Sequence, residues 1–156
     1  MATTLSHFRA AAEAHLHIAS AQIVGTPPSR TPGAIAYLSS VALECSLKAL
    51  ILKHMGAVDL GDLRNRQPRI HSRLFSSRTG HQLDQLAAQA NLARYLGGDS
   101  PQMKAPHVWR RMCGQDRPYS VRYGFEEVNE DDALAEREEA KRLHSEVKLL
   151  LGRKHR

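Results

Sequence analysis

The segment from residue 32 to residue 55 constrains the fold more than any other part of this sequence. It follows Thr31-Pro32, a capping residue and a proline suited to the first helical position, and it stops at Gly56. The sequence therefore predicts a central helix that packs against other elements on more than one side. This prediction rests on apolar residues that recur at helical spacing and extend around the cylinder: Ile35, Tyr37, Leu38, Val41, Ala42, Cys45, Leu47, Ala49, Leu50, Ile51 and Leu52.

Three further helices are predicted from periodicity and from boundary signals. The first covers about residues 4 to 24 and ends before a Gly-Thr-Pro-Pro segment. The third covers about residues 81 to 96 and stops at Gly97-Gly98. The last begins after the capping residue Asn129 and ends near Gly152. No segment shows the alternation expected of a strand, so we expect an all-α fold, a four-helix up-and-down bundle with a long crossover region before the last helix.

Two connecting segments and a tail complete the single domain that we expect for residues 1–156. Residues 99–128 are interrupted by prolines and glycines and are expected to form an irregular connection, with one helical turn around His107–Met112, anchored by Trp109 and other aromatic residues. Residues 152–156 form a basic tail. Residues 57–80 show little periodicity and are expected to form a basic loop with five arginines: Arg64, Arg66, Arg69, Arg73 and Arg78.

The net charge of the chain is +6, and its acidic residues are unevenly distributed. Eight of the sixteen lie within residues 126–139, so the remainder is much more basic. A basic surface attracts anions and is typical of proteins that bind a phosphate backbone. Cys45 and Cys113 suit free thiols in a reducing compartment. The N-terminus lacks the pattern of a secretory leader, and we expect a cytoplasmic protein that does not bind a membrane.

Three motifs, in order along the chain, carry a resemblance to a known family. The central helix contains Tyr37-Leu38-Ser39-Ser40-Val41-Ala42-Leu43-Glu44-Cys45-Ser46-Leu47-Lys48-Ala49-Leu50, with Glu and Lys four residues apart. The third helix opens with Gly80-His81-Gln82-Leu83-Asp84-Gln85-Leu86. Trp109 and then Val121-Arg122-Tyr123 precede a last helix that is first acidic and then apolar. Together these motifs resemble the HEPN family over most of the chain, from residue 35 to residue 151.

The resemblance implies a HEPN-type bundle that often forms a homodimer and acts in toxin–antitoxin, phage-defence or RNA-processing systems. Some members of the family are metal-independent endoribonucleases, and others are inactive partners that bind RNA or nucleotides. For this chain the resemblance therefore implies RNA as a partner, with a cognate nucleotidyltransferase or antitoxin beside it, and no cofactor or metal ion. His7, His15 and His17 likewise form no convincing set of metal ligands.

The ribonuclease members carry an arginine, four to six intervening residues and then a histidine, because attack by a 2′-hydroxyl needs a proton acceptor and a cation near the phosphate. This spacing occurs four times here, about as often as chance predicts. Arg137 and His144 form the best catalytic candidate, because they lie on the last helix and on the same side of it. Glu138 departs from the family pattern, since its charge competes with phosphate. The alternative is that this pair lies on a solvated helix flank.

Glu44, Lys48 and His81 each have a functional and a structural interpretation. Glu44 and Lys48 lie one helical turn apart, so they form either a structural ion pair or part of a pocket on an otherwise apolar helix. His81 stands at a helix opening, where it either binds phosphate with exposed backbone N–H groups or serves as a cap or packing residue.

Two sets of residues are candidates for contacts with RNA. Arg122 and Tyr123 offer a guanidinium and a stacking ring, although Tyr123 and Trp109 are equally suited to fill the core beneath the long connection. The predicted basic loop has Phe75 as its only interleaved aromatic, which favours contacts with the RNA backbone over base stacking, unless the loop is merely solvated. Its candidate contacts are Arg64, Arg66, Arg69 and Arg73.

Two hypotheses from different classes follow. The first is a HEPN-like RNA-associated protein, with metal-independent endoribonuclease activity in a toxin–antitoxin or phage-defence system as its catalytic form. The alternative is a non-catalytic helical interaction module that partners a nucleotidyltransferase or another defence protein.

Overall fold

Three long helices form the framework of the protein. The computed structural model describes residues 4–24, 32–75, 80–114, 121 and 127–153, and within these ranges it contains helices and no strand. The long helices are α1 (Leu5–Val24), α2 (Pro32–His54) and α9 (Glu130–Gly152). Short helices lie between α2 and α9: α3 (Leu60–Arg66), α4 (Pro68–Phe75), α5 (Leu83–Gln89), α6 (Leu92–Leu96), α7 (Pro101–Lys104) and α8 (Pro106–Met112). The predicted all-α class is therefore confirmed for the described residues.

Helix α2 is the core of the domain, as its sequence predicts. Fourteen of its residues are buried, and they include Leu43, Leu47, Leu50 and Ile51, which are inaccessible to solvent. By length and composition α2 could also cross a membrane, with a mean hydropathy of 1.6 over its best window, but 83% of that window is buried inside the protein. A helix that is apolar all round is explained here by packing against α1 on one side and α9 on another.

The contacts of the long helices give their relative directions. Ala36, near the start of α2, packs with Ala133 near the start of α9, and the ends of the two helices also meet, so α2 and α9 run parallel. Helix α1 runs antiparallel to α2, because Thr4 pairs with Asp59 just beyond the C-terminal end of α2.

Parallel packing brings the C-terminal ends of α2 and α9 together, and Lys53 offsets the resulting repulsion. Its ammonium group donates hydrogen bonds to the carbonyl oxygens of Leu150 at 2.8 Å, Leu151 at 2.7 Å and Arg153 at 2.5 Å. The last carbonyls of a helix have no partner within the helix and carry its negative dipole end. A side chain of α2 therefore caps α9.

The segment expected to be a basic loop, residues 57–80, is mostly helical, and this prediction was wrong. It contains α3 and α4, while residues 76–79 lie outside the described residues. Asp59 caps α3 by accepting a hydrogen bond from the backbone N–H of Asp62. Pro68 begins α4, as Pro101 and Pro106 begin α7 and α8. Proline in the first turn of a helix removes no hydrogen bond.

The prediction of an irregular connection over residues 99–128 was also wrong, because prolines again begin helices there. Its described N-terminal part contains α7 and α8, whereas residues 115–120 and 122–126 lie outside the described residues. The predicted third helix is divided into α5 and α6 at Asn91, which adopts a left-handed conformation with φ 54°. Gly97 ends α6 with positive φ, as the Gly97-Gly98 signal indicated. Of the basic tail, Gly152 and Arg153 form the end and cap of α9, and residues 154–156 are not described.

We expect Lys53→Met to lower the free energy of unfolding by about 1–3 kcal/mol, because three carbonyls of α9 lose a charged donor while the aliphatic stem is kept. Urea denaturation followed by circular dichroism measures this loss. Lys104→Met serves as the control, since Lys104 forms only an exposed ion pair with Asp99. Equal stability of the two variants would contradict the capping role.

Candidate functional site

Four arginines of α3 and α4 form an exposed cationic surface, here called the arginine surface: Arg64, Arg66, Arg69 and Arg73. Leu63 of α3 and Leu74 of α4 are buried and hold these short helices against the core. Arg66 donates to the carbonyl of Gly56 at 2.7 Å and contacts Asp62 at 3.4 Å. Arg64 and Arg69 form no ion pair within the part of the chain that the structure describes, so their charges are available to an anion.

Acidic side chains lie at the other end of the domain. Because α9 runs parallel to α2, its acidic first half packs beside the start of α2, whereas α3 follows the end of α2. Helix α2 has 23 residues and is therefore about 34 Å long. Several acids are also paired within the protein, with Glu136 2.8 Å from Arg111 and Glu139 2.6 Å from Arg142. The acids of α9 are thus remote from the arginine surface, where the nearby acids on α3 are Asp59, its cap, and Asp62.

Arg137, the predicted phosphate-binding member of the catalytic pair, is largely withdrawn from solvent. Its side chain is 16% exposed and is paired with the carboxylate of Glu138. This contact is also the main reason that the pKa of Glu138 lies below its ordinary value. The buried Nε of Arg137 has no hydrogen-bond partner among the described residues. Glu138 therefore occupies the guanidinium that the sequence assigned to phosphate.

His144, the predicted general base, is buried at 7% exposure and is held by Ser46 of α2. The hydroxyl of Ser46 donates its one proton to the carbonyl of Ala42 at 2.9 Å. Nδ1 of His144 lies 2.8 Å from the same hydroxyl oxygen, and with the hydroxyl proton assigned to the Ala42 carbonyl the Nδ1–H donates to it. In the resulting tautomer Nε2 carries a lone pair, and that atom has no partner among the described residues. The expectation of a solvated flank was wrong for this residue, because His144 faces α2.

The edge of the His144 ring lines a shallow groove of about 270 Å³ between α1 and α9, with Glu13, Lys141 and Lys148 around it. Burial lowers the pKa of His144, and the positive charge of Lys148 lowers it further. The imidazole is therefore neutral at physiological pH, the form that can accept a proton. Arg137 does not line this groove, and seven residues of helix separate the two by about 10 Å along the axis. Within one chain the structure does not bring the predicted pair together.

Glu44, Lys48 and His81 do come together. The buried Glu44 carboxylate accepts from the Nζ of Lys48 at 2.6 Å through one oxygen and contacts Nδ1 of His81 at 2.8 Å through the other. His81 is 32% exposed and lies just before α5, whose N-terminal cap is Gln82. This cluster joins the opening of α5 to the middle of α2. The ion pair that the sequence left open is present, and His81 belongs to it.

The remaining predicted residues divide between the core and the undescribed segments. Trp109 is buried in the main core, in the packing role that the sequence left open. Arg122 and Tyr123 lie outside the described residues.

Cys45 and Cys113 are free thiols, and burial raises the pKa of Cys45 to about 11 and that of Cys113 to about 12. Thiols with such values stay protonated and are poor nucleophiles at neutral pH.

Sequence reasoning missed Ser46, which holds His144, and also Arg111 and Arg142, which pair with the buried glutamates Glu136 and Glu139 of α9. Arg111 of α8 bonds to Glu136, and Arg142 pairs with Glu139 and donates to the carbonyl of Asp99 at 2.9 Å. The only available signal was indirect: buried glutamates on α9 require basic partners, and the sequence does not say which ones.

Comparisons with known proteins add no assignment. No family model, no curated protein and no solved structure matches this chain.

Among the described residues, no group of three His, Cys, Asp or Glu side chains is arranged to hold a metal ion.

We expect the stability of the protein to fall as the pH falls from 7.5 to 5, in part through His144. Its folded-state pKa lies below its ordinary value of 6.5, so the unfolded chain takes up a proton more readily over this range. In His144→Asn, which keeps a donor for Ser46, the free energy of unfolding should vary less steeply with pH. Urea denaturation at several pH values measures the slope. An identical slope in His144→Asn and in the control His17→Asn, at an exposed position, would contradict this expectation.

Lys48→Met should destabilise the protein by about 3–5 kcal/mol, because Glu44 keeps a buried charge that has lost one partner. The double variant Glu44→Leu/Lys48→Met should recover part of this loss, since both buried charges are then gone. Arg9→Met is the matched control on the exposed Arg9–Glu13 pair and should cost less than about 1 kcal/mol. A double variant less stable than Lys48→Met would show that the cluster does more than satisfy its own charges.

Proposed function

We propose that this protein is a HEPN-like RNA-associated protein of the cytoplasm that binds the phosphate backbone of RNA through its arginine surface. The observation that carries the proposal is the group of four exposed arginines on α3 and α4, remote from the acids of α9, with Arg64 and Arg69 in no ion pair among the described residues. A local excess of cations attracts a polyanion, even at the modest net charge of +6.

The contact between Glu44 and His81 supports the HEPN-like assignment. These residues come from two of the three motifs that carry the resemblance, and they meet at 2.8 Å although 37 residues separate them. A buried carboxylate is costly without its partners, so the contact of His81 with Glu44 constrains how the opening of α5 packs on α2. The four-helix HEPN bundle is part of this proposal, with α1, α2 and α9 as three of its helices and the α5–α6 segment as the fourth.

Binding of a labelled single-stranded oligoribonucleotide, measured by fluorescence anisotropy at several salt concentrations, tests the proposal. Removal of three arginine charges in Arg64→Gln/Arg69→Gln/Arg73→Gln should weaken binding. It should also reduce the slope of log affinity against log salt by about 2, since each lost phosphate contact removes roughly 0.7.

The control variant removes the same number of charges elsewhere, in Arg9→Gln/Lys104→Gln/Arg110→Gln, at three exposed positions. It should leave the salt slope close to that of the wild type. Equal slopes for both triple variants would place the contacts outside the arginine surface. Absence of RNA binding by the wild type would instead favour the non-catalytic module that partners a nucleotidyltransferase or another defence protein.

Metal-independent RNA cleavage is a second candidate function, favoured by the state of His144. Its neutral ring leaves Nε2 without a partner among the described residues, and this atom is buried, so the ring must turn toward the groove before Nε2 can reach a substrate. Lys141 and Lys148 also line that groove, where Lys148 is paired with Glu13 at 2.9 Å. A neutral base next to cations is what attack by a 2′-hydroxyl requires. Because Arg137 stands about 10 Å along the helix, this candidate requires a homodimer in which a second copy contributes to the site.

Cleavage is tested by incubating the protein with labelled transfer RNA in EDTA. The wild type should cut the RNA, and His144→Asn should reduce the rate at least about 100-fold, as loss of a general base does. A mixture of His144→Asn and Arg137→Gln chains should recover activity if two copies share the site. Intact RNA with the wild-type dimer would leave binding as the function.

A further inference from the structure

The geometry points to a binding site for one unpaired base of single-stranded RNA in the cavity between the end of α2, α4 and α5, here called the base cavity. This inference rests on the proposed RNA binding and specifies how the bound strand is held. The cavity measures about 360 Å³, within the range of roughly 300–1,000 Å³ that is usual for small-molecule sites.

One part of the base cavity is apolar. Met55, from the end of α2, lies beside Leu74 of α4 and Leu86 of α5, and the two leucines belong to the buried core. Ala88 adds a small side chain that is exposed on α5. A planar heterocycle that enters such a cavity exchanges water for apolar contacts on its faces.

The other part of the base cavity carries amide groups that can read the edge of a base. Gln85, Gln89 and Asn91 line it, and each amide offers a donor and an acceptor. The side chains of Gln89 and Asn91 form no hydrogen bond within the described ranges, so their polar groups are free for a ligand. Asparagine and glutamine pair well with base edges, which present a donor next to an acceptor.

The backbone at Asn91 adds an independent indication. Asn91 is the only non-glycine residue with positive φ among those described, and it interrupts what would otherwise be one helix from α5 to α6. A residue in this conformation costs some stability and often marks a functional position. Here the interruption leaves Asn91 between α5 and α6, where it lines the base cavity and a neighbouring cavity on α6.

The arginine surface identifies the occupant as part of a nucleic acid strand. Arg73 belongs to that surface and also lines the base cavity, and Arg69 lies one turn before it on α4. Cations on the same helix can hold the phosphates that flank a base in a strand. A free neutral heterocycle has no such phosphates and would leave these cations without a partner. The strand must be single-stranded where it binds, because a base inside a duplex cannot turn outward without unstacking.

The experiment compares three labelled strands of equal length and charge, namely oligouridylate, oligoadenylate and an abasic ribose-phosphate strand. One of the two base-containing strands should bind wild-type protein about tenfold more tightly than the abasic strand, the usual contribution of a bound base. Ala88→Leu, which fills the cavity mouth, should remove this preference while leaving the salt slope unchanged. Ala14→Leu, at an exposed position on α1, is the matched control and should keep the preference.

Asn91→Gly removes the amide and keeps the left-handed backbone, so the variant should fold. It should change the ratio of affinities for oligouridylate and oligoadenylate by at least about threefold. Equal affinity of wild-type protein for the abasic strand and both base-containing strands would overturn the base cavity and leave backbone binding intact. Failure of every strand to bind would overturn the proposed function, and the base cavity with it.

Discussion

Helix α2 is buried on nearly every side, and it nevertheless carries Ser39, Glu44, Ser46 and Lys48 in its interior-facing positions. Buried polar groups must be satisfied within the protein, because water cannot reach them. Ser46 is satisfied by Ala42 and His144, and Glu44 by Lys48 and His81. The two histidines of interest are thus positioned by the polar demands of one helix. The positions of both histidines therefore follow from the hydrogen bonds that the buried polar residues of α2 require.

The sequence predicted the long helices well, because apolar periodicity and capping residues act locally. Asn129 illustrates this, since its side chain accepts from the backbone N–H of Asp132 as its position indicated. Helices α3, α4 and α7 were missed because proline was read as an interruption, although Pro68 and Pro101 begin helices. Burial of His144 could not be predicted from helical phase alone, since phase does not reveal which neighbour packs on a given face. That information resides in Ser46, 98 residues away.

The arginine surface and the base cavity also differ in how far the sequence alone indicates them. The arginines stand out in composition, and only their helical placement required the structure. The base cavity has no signature in the sequence, because Met55, Arg73 and Gln89 meet only when α4 and α5 pack at the end of α2. The left-handed backbone conformation of an asparagine inside a helical pattern likewise cannot be predicted from the spacing of apolar residues. Tertiary packing thus creates the site from residues that appear ordinary in isolation.

The parallel pairing of α2 with α9 has a consequence for synthesis. Contacts between residues almost a hundred positions apart form late, because a long loop must close before they contribute. Until α9 leaves the ribosome, one side of α2 has no cover, and α2 alone is long and apolar enough to enter a bilayer. By length and composition alone, the uncovered helix meets the same criteria as a membrane segment. Packing of α9 then covers the exposed side of α2 and fixes α2 in the interior of the domain.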